Sequence, residues 1–164
     1  MNAEATEQRR LISSRSEYLE AADALYELAQ RELCIFDPDL EMLALNALSR
    51  AGTLRTFLTG GPDNRVRIAL HDPAHAQQAC PRLIELLRDF SPRVQIYRTE
   101  GVAANAQDRF ILADQLHFVR RPVAEQSRGV FGLHQTQDAR LLQERFEEIW
   151  VLSVEAVAAN TLGL

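Results

Sequence analysis

The chain has 164 residues, 46% of them hydrophobic and 25% charged, which suits one globular domain whose core needs no disulfide or metal staple. No run approaches the ~18 apolar residues of a membrane span, and the opening MNAEATEQRR has no apolar segment behind its arginines, so neither a membrane protein nor a secretory leader is expected. The net charge of −5 argues against a large nucleic-acid surface, and all 18 basic residues are arginine, which excludes lysine chemistry and leaves anion binding by guanidinium forks open.

Residues 1–12 read as a polar, flexible lead-in, and residues 13–164 as a single domain. Ser14 and Glu17 have the spacing of a capping box, and Tyr18, Ala22, Leu25 and Ala29 follow as a helical apolar stripe. ELCIF is a short buried strand stopped by Asp37-Pro38-Asp39. Asp39 is placed to cap a helix with the stripe Leu40, Leu43, Ala44, Ala47 and Leu48. A second short helix leads to the turn at Gly60, Gly61 and Pro62.

RVRIALHD reads as an inner strand, and Pro73 opens a helix whose core face is Leu83, Leu86, Leu87 and Phe90. RVQIYR alternates strictly, as a third strand should. RFILA and LHFVR make a hairpin across Asp114 and Gln115. Residues 121–135 read as a loop with Pro122, Gly129 and Gly132. The last helix places Leu142, Phe146, Ile149, Trp150, Ser153 and Val157 on one face. Helices alternating with strands, then a hairpin and a helix, predict an α/β fold with a mixed β-sheet flanked by helices.

Cys34 and Cys80 form no disulfide framework or zinc pattern, and both are expected at half-buried positions in a reduced, cytoplasmic protein. An arginine- and alanine-rich chain without lysine also fits a GC-rich bacterial genome.

The stretch QDRFILAD, residues 107–114, carries the most specific signal. With the order of elements and the closing ARLLQERFEEIW, it resembles one half of the phospholipase D-like superfamily, over roughly residues 14–155. That superfamily's signature is H-x-K-x-x-x-x-D on the first strand of a hairpin. Gln107 falls at the histidine, Arg109 at the lysine and Asp114 at the aspartate. CPRLIELLRDFSPRVQIYR and CIFDPDLEM resemble an uncharacterised bacterial domain of this type that is sometimes attached to an acetyltransferase.

The resemblance implies a half domain that pairs with a second copy, and it makes a regulatory partnership with an acetyltransferase one reading. In the superfamily the histidine is the nucleophile, and glutamine cannot replace it because its amide nitrogen has no available lone pair. Arg109 can still grip a phosphate oxygen. No Gly-Ser-x-Asn follows the hairpin, where FVRRPVAE stands instead. A catalytically silent module that binds a phosphate-bearing ligand is therefore the first reading. The rival is an active phosphodiesterase or nuclease that uses His71 or His117 across a dimer interface.

His71 ends the second strand, where open α/β sheets place ligands. It is either a base oriented by Asp37 or Asp72, or a plain strand-end histidine. Pro73 interrupts the His71–His75 spacing and no third ligand is evident, so no metal and no cofactor are expected. His117 lies on the second hairpin strand, and His134 has no evident partner. Arg98, Arg109, Arg120 and Arg121 form a candidate anion cluster, set against the plainer view of solvated charges at strand ends. Gln107 and Arg109, two apart on a strand, should project together, with Phe110 and Leu112 facing the opposite layer.

Overall fold

The computed structural model describes residues 6–158. Among them, eight strands form one mixed sheet in the order β1-β7-β6-β5-β2-β3-β4-β8. β2 (Glu32–Asp37), β3 (Arg65–Leu70) and β4 (Val94–Thr99) run parallel at its centre. β5 (Arg109–Ala113), β6 (His117–Arg121), β7 (Gly129–Leu133) and β1 (Gln8–Ile12) extend one side antiparallel, and β8 (Ser153–Val157) closes the other.

Helices cover the two faces unequally. Strand alternation sends Leu33 and Ile35 of β2 into a large core with α1 (Arg15–Leu28), α2 (Leu48–Thr59) and α4 (Pro81–Phe90), the short α3 (Ala74–Ala79) supplying Ala76. Cys34 and Phe36 point the other way, into a smaller core under α5 (Thr136–Val151). Phe110 and Leu112 lie in that second core, as the strand's period requires. Leu33, Ile35, Phe36 and Phe110 are fully buried, and each such side chain stabilises the fold by roughly 1.5–3 kcal/mol. The mixed α/β sheet is the architecture that the sequence predicts.

Local chemistry explains the ends of α1. The Ser14 hydroxyl accepts from the Glu17 N–H at 3.1 Å, and Glu17 accepts from the Ser13 N–H at 3.2 Å, a cap worth about 1 kcal/mol.

Several elements differ from the sequence expectation. Residues 8–12 are not a frayed lead-in but an edge strand in register with β7; residues 1–5 and 159–164 lie outside the described residues. The helix expected after Asp39 does not form. Asp37 Oδ2 accepts from the Leu40 N–H at 2.8 Å, and Leu40 and Ala44 adopt φ of 70° and 48°, so the chain winds through turns that still bury Leu40, Leu43 and Leu45. The helix expected from Pro73 is two helices, because Cys80 is non-helical before Pro81 opens the second.

The stretch 121–135 is not all loop. Gly129 and Gly132 belong to β7, and a Cβ at 132 would stand 2.6 Å from the Phe118 ring, so this glycine admits an aromatic neighbour. The last helix stops at Val151, which leaves Ser153 and Val157 on β8. Both cysteines are fully buried rather than half-buried. Burial raises the pKa of each thiol. Among the described residues, no helix is long and apolar enough to cross a membrane.

Candidate anion site

The carboxyl ends of the parallel strands converge with one end of the hairpin, where open α/β sheets bind ligands. β2 ends in Asp37, β3 leads into His71 and β4 ends in Thr99. Arg109 begins β5 and stands directly opposite Arg121, the last residue of β6.

Arg109 and Arg121 are 7% and 5% exposed, on the face of the sheet covered by α1. Arg109 Nη1 lies 3.2 Å from Asp37 Oδ1, an ion pair without hydrogen-bond alignment. Asp37 Oδ2 is engaged by the Leu40 and Asp39 amides. Burial raises the Asp37 pKa, and Arg109 opposes that shift. Arg121 has no carboxylate partner among the described residues. Its guanidinium sits 5.1 Å from the Tyr18 ring centroid and donates weakly to Met42 Sδ at 3.3 Å and the Ala124 carbonyl at 3.4 Å. Burial, then the adjacent Arg109, pushes the Arg121 pKa down. The Tyr18 hydroxyl and the Nε atoms of both arginines are buried without a hydrogen-bond partner among the described residues. Of these two buried cations only Arg109 has an ion-pair partner among the described residues, which leaves a local excess of positive charge.

Outside this pair, a cavity of about 430 Å³ is lined by Pro38, His71, Ala106, Gln107, Val123 and Ala124. Gln107 is exposed, and its carbonyl accepts from the Ala124 N–H at 2.6 Å, drawing the segment after β6 across the arginines. His71 is held at both nitrogens. Nε2 lies 2.8 Å from the Ala106 carbonyl and must donate, so Nδ1, 2.6 Å from Thr99 Oγ1, accepts in the neutral ring. Neither Asp37 nor Asp72 orients it.

The other sequence candidates lie elsewhere. Asp114 stands at the far end of β5, where its carboxylate accepts from the Gln30 and Arg31 amides at 2.8 Å and from Glu32 at 3.0 Å. It fastens the start of β2 to the hairpin. His117 is also at that end, about 13 Å along β6 from Arg121 at ~3.3 Å per residue. Its Nδ1 accepts from the His134 N–H at 3.0 Å, and the two rings meet edge-on at 4.5 Å, which gives His134 the partner its sequence did not reveal. Arg98 pairs with Glu100 at 3.3 Å on the surface. Arg120 points to the opposite face of the sheet from Arg121, 4.0 Å from Asp108. The four arginines therefore do not form one cluster, and the two that the hairpin brings together are Arg109 and Arg121. The described residues contain no group of three or more His, Cys, Asp or Glu placed to hold a metal ion.

A family profile described as a domain of unknown function, DUF7931, matches residues 14–162. The chain belongs to that family. No curated protein matches it by sequence. Solved structures similar to this DUF7931 domain include the following three, each at 10% identity. It aligns with TrmBL2, an archaeal chromatin protein with a novel mode of DNA binding, at a TM-score of 0.68 over 95% of the chain. It aligns with Nuc from Salmonella typhimurium, a phospholipase D family member, at 0.61 over 93%, and with NucT from Helicobacter pylori at 0.63 over 92%. The chain spans 57% of TrmBL2 but all of Nuc and NucT. The fold of this chain is phospholipase D-like.

Proposed function

We propose that this domain is a catalytically silent, degenerate phospholipase D-like half that binds a phosphate-bearing ligand at Arg109 and Arg121. The observation that carries the reading is a second buried guanidinium, Arg121, set opposite Arg109 with no ion-pair partner among the described residues, while Arg109 pairs with Asp37. An uncompensated buried cation costs several kcal/mol, and a bound anion would offset that cost. Guanidinium forks match phosphate oxygens. The Ala124 carbonyl, a long 3.4 Å from Arg121, is the weak contact that a ligand oxygen would replace.

Silence is supported by Gln107 at the nucleophile position, by both His71 nitrogens being hydrogen-bonded, and by His117 standing at the other end of the hairpin. The net charge of −5 favours a small phosphate compound over duplex nucleic acid.

Arg121→Met is the deciding variant. Inorganic phosphate should raise the melting temperature of the parent, and Arg121→Met should weaken that protection about tenfold or more, the equivalent of ~1.4 kcal/mol. Without phosphate the variant should melt at the parent temperature or above, because it loses a cation with no carboxylate partner. A variant that melts much lower, from a parent that phosphate does not protect, would make Arg121 structural and end the reading. Turnover of a chromogenic phosphodiester that disappears in His71→Ala or His117→Ala would instead establish an active enzyme.

A further inference from the structure

Arg120 lies on the opposite face from the candidate anion site, and its surroundings are those of a separate pocket. β6 alternates Phe118 and Arg120 toward α5, whose residues Asp138, Leu141, Leu142 and Arg145 form one stripe at helical spacing. Between them lies a cavity of about 250 Å³, with Phe118, Val130 and Leu142 among its apolar walls and Arg9, Arg120 and Arg145 among its cations. It is open because α5 packs over β4, β5, β6 and β8. Leu11, beside Val130 on the neighbouring strand, and Leu141 at the mouth are 80% and 58% exposed.

The cations are unequally engaged. Arg145 holds Asp108 bidentately at 2.8 and 2.6 Å, and Arg9 pairs with Asp138 at 3.4 Å. Among the described residues Arg120 reaches only the carboxylate of Asp108, at 4.0 Å, whose two oxygens Arg145 already occupies. Arg120 Nε is buried without a hydrogen-bond partner among the described residues. The pocket therefore combines apolar walls with one planar, weakly committed guanidinium. We propose that it binds an amphipathic monoanion: a carboxylate head on Arg120 and a short apolar body against Phe118, Val130 and Leu142. A planar fork suits a carboxylate, and a volume below the ~300–1,000 Å³ of drug-sized sites limits the body to a short chain or a single ring.

The test titrates the full chain with octanoate, followed by NMR of the methyl and aromatic side chains and by calorimetry. Octanol, acetate and inorganic phosphate serve as controls. Octanoate should bind saturably and shift Phe118, Val130, Leu141 and Leu142, while octanol and acetate bind at least tenfold more weakly. Arg120→Met should weaken octanoate about tenfold or more. Leu141→Glu, a change at an exposed position, should do the same by placing a negative charge at the mouth. Arg109→Met should leave octanoate affinity unchanged, so failure here is separable from failure of phosphate binding across the sheet. No octanoate binding, equal binding of octanol, or indifference to both Arg120→Met and Leu141→Glu would each overturn the proposal.

Discussion

At the residue scale, Asp37 is the ion-pair partner of Arg109, and Arg121 beside it has none among the described residues. Asp37→Asn should therefore destabilise the fold by about 3–5 kcal/mol, the usual result of stripping a buried charge of its partner. Phosphate should recover much of that loss in the variant, and thermal unfolding with and without the anion measures both effects. His117 gives a second prediction. Burial first, then His134, lowers its pKa below the ordinary 6.5, and its Nδ1 must stay unprotonated to accept from the His134 amide. The unfolded chain binds the proton more readily, so the stability from this contact is present above pH 6.5 and is lost as pH falls toward the lower folded value. His117→Asn, which can still accept the amide, should flatten that part of the pH–stability curve; an unchanged slope would exclude His117 as its source. The place of Arg109 on the first hairpin strand was legible in the sequence. Its true partner was not, because a two-residue turn would have set Arg120 opposite Arg109. The turn observed spans residues 114–116, with φ of 56° and 57° at Asp114 and Gln115, and that one-residue difference brings Arg121 there instead.

Among elements, the hairpin and α5 are each tied to the sheet by a charged side chain. Asp114→Ala removes three backbone hydrogen bonds to the start of β2 and should lower stability by roughly 2–4 kcal/mol, read from the urea midpoint. The aspartate at the end of the motif thus has a structural role here. On the other face Arg67, 4% exposed, donates to Glu147 of α5 and pairs with Glu32, and it stacks near Phe146 and Trp150. The Arg67 hydrogen bond holds the Glu147 pKa below its ordinary 4.5. That contribution is present above pH 4.5 and disappears as pH falls through the lower folded value. Glu147→Gln should therefore lower stability at neutral pH and remove part of the acid-induced loss; identical acid limbs in parent and variant would disprove the coupling. The central strands, α1 and α5 were readable because their apolar periods are long and unmixed. β1 and β8 were not, since each is a short edge that needs only one apolar side, and β7 was not, since its two glycines read as loop signals.

For the whole molecule, the order of layers was legible and the unequal cover of the two faces was not. Periodicity marks which residues are buried, but it does not say that one face is covered by α5 and the short turn carrying Ala103 while the other takes α1, α2 and α4. Two chemically distinct arginine groups lie on opposite faces of the sheet, one buried with Asp37 and one open beside Leu141. β1 has a further consequence, in the timing of assembly. Gln8 pairs with Leu133, so the strand must wait for a partner about 120 residues later in the chain. At ~5–20 residues per second of synthesis, that interval is roughly 6–24 s. Throughout it, a five-residue strand has no ladder to join, and its Arg9 and Arg10 are the side chains that discourage a neighbouring nascent chain from pairing with it first.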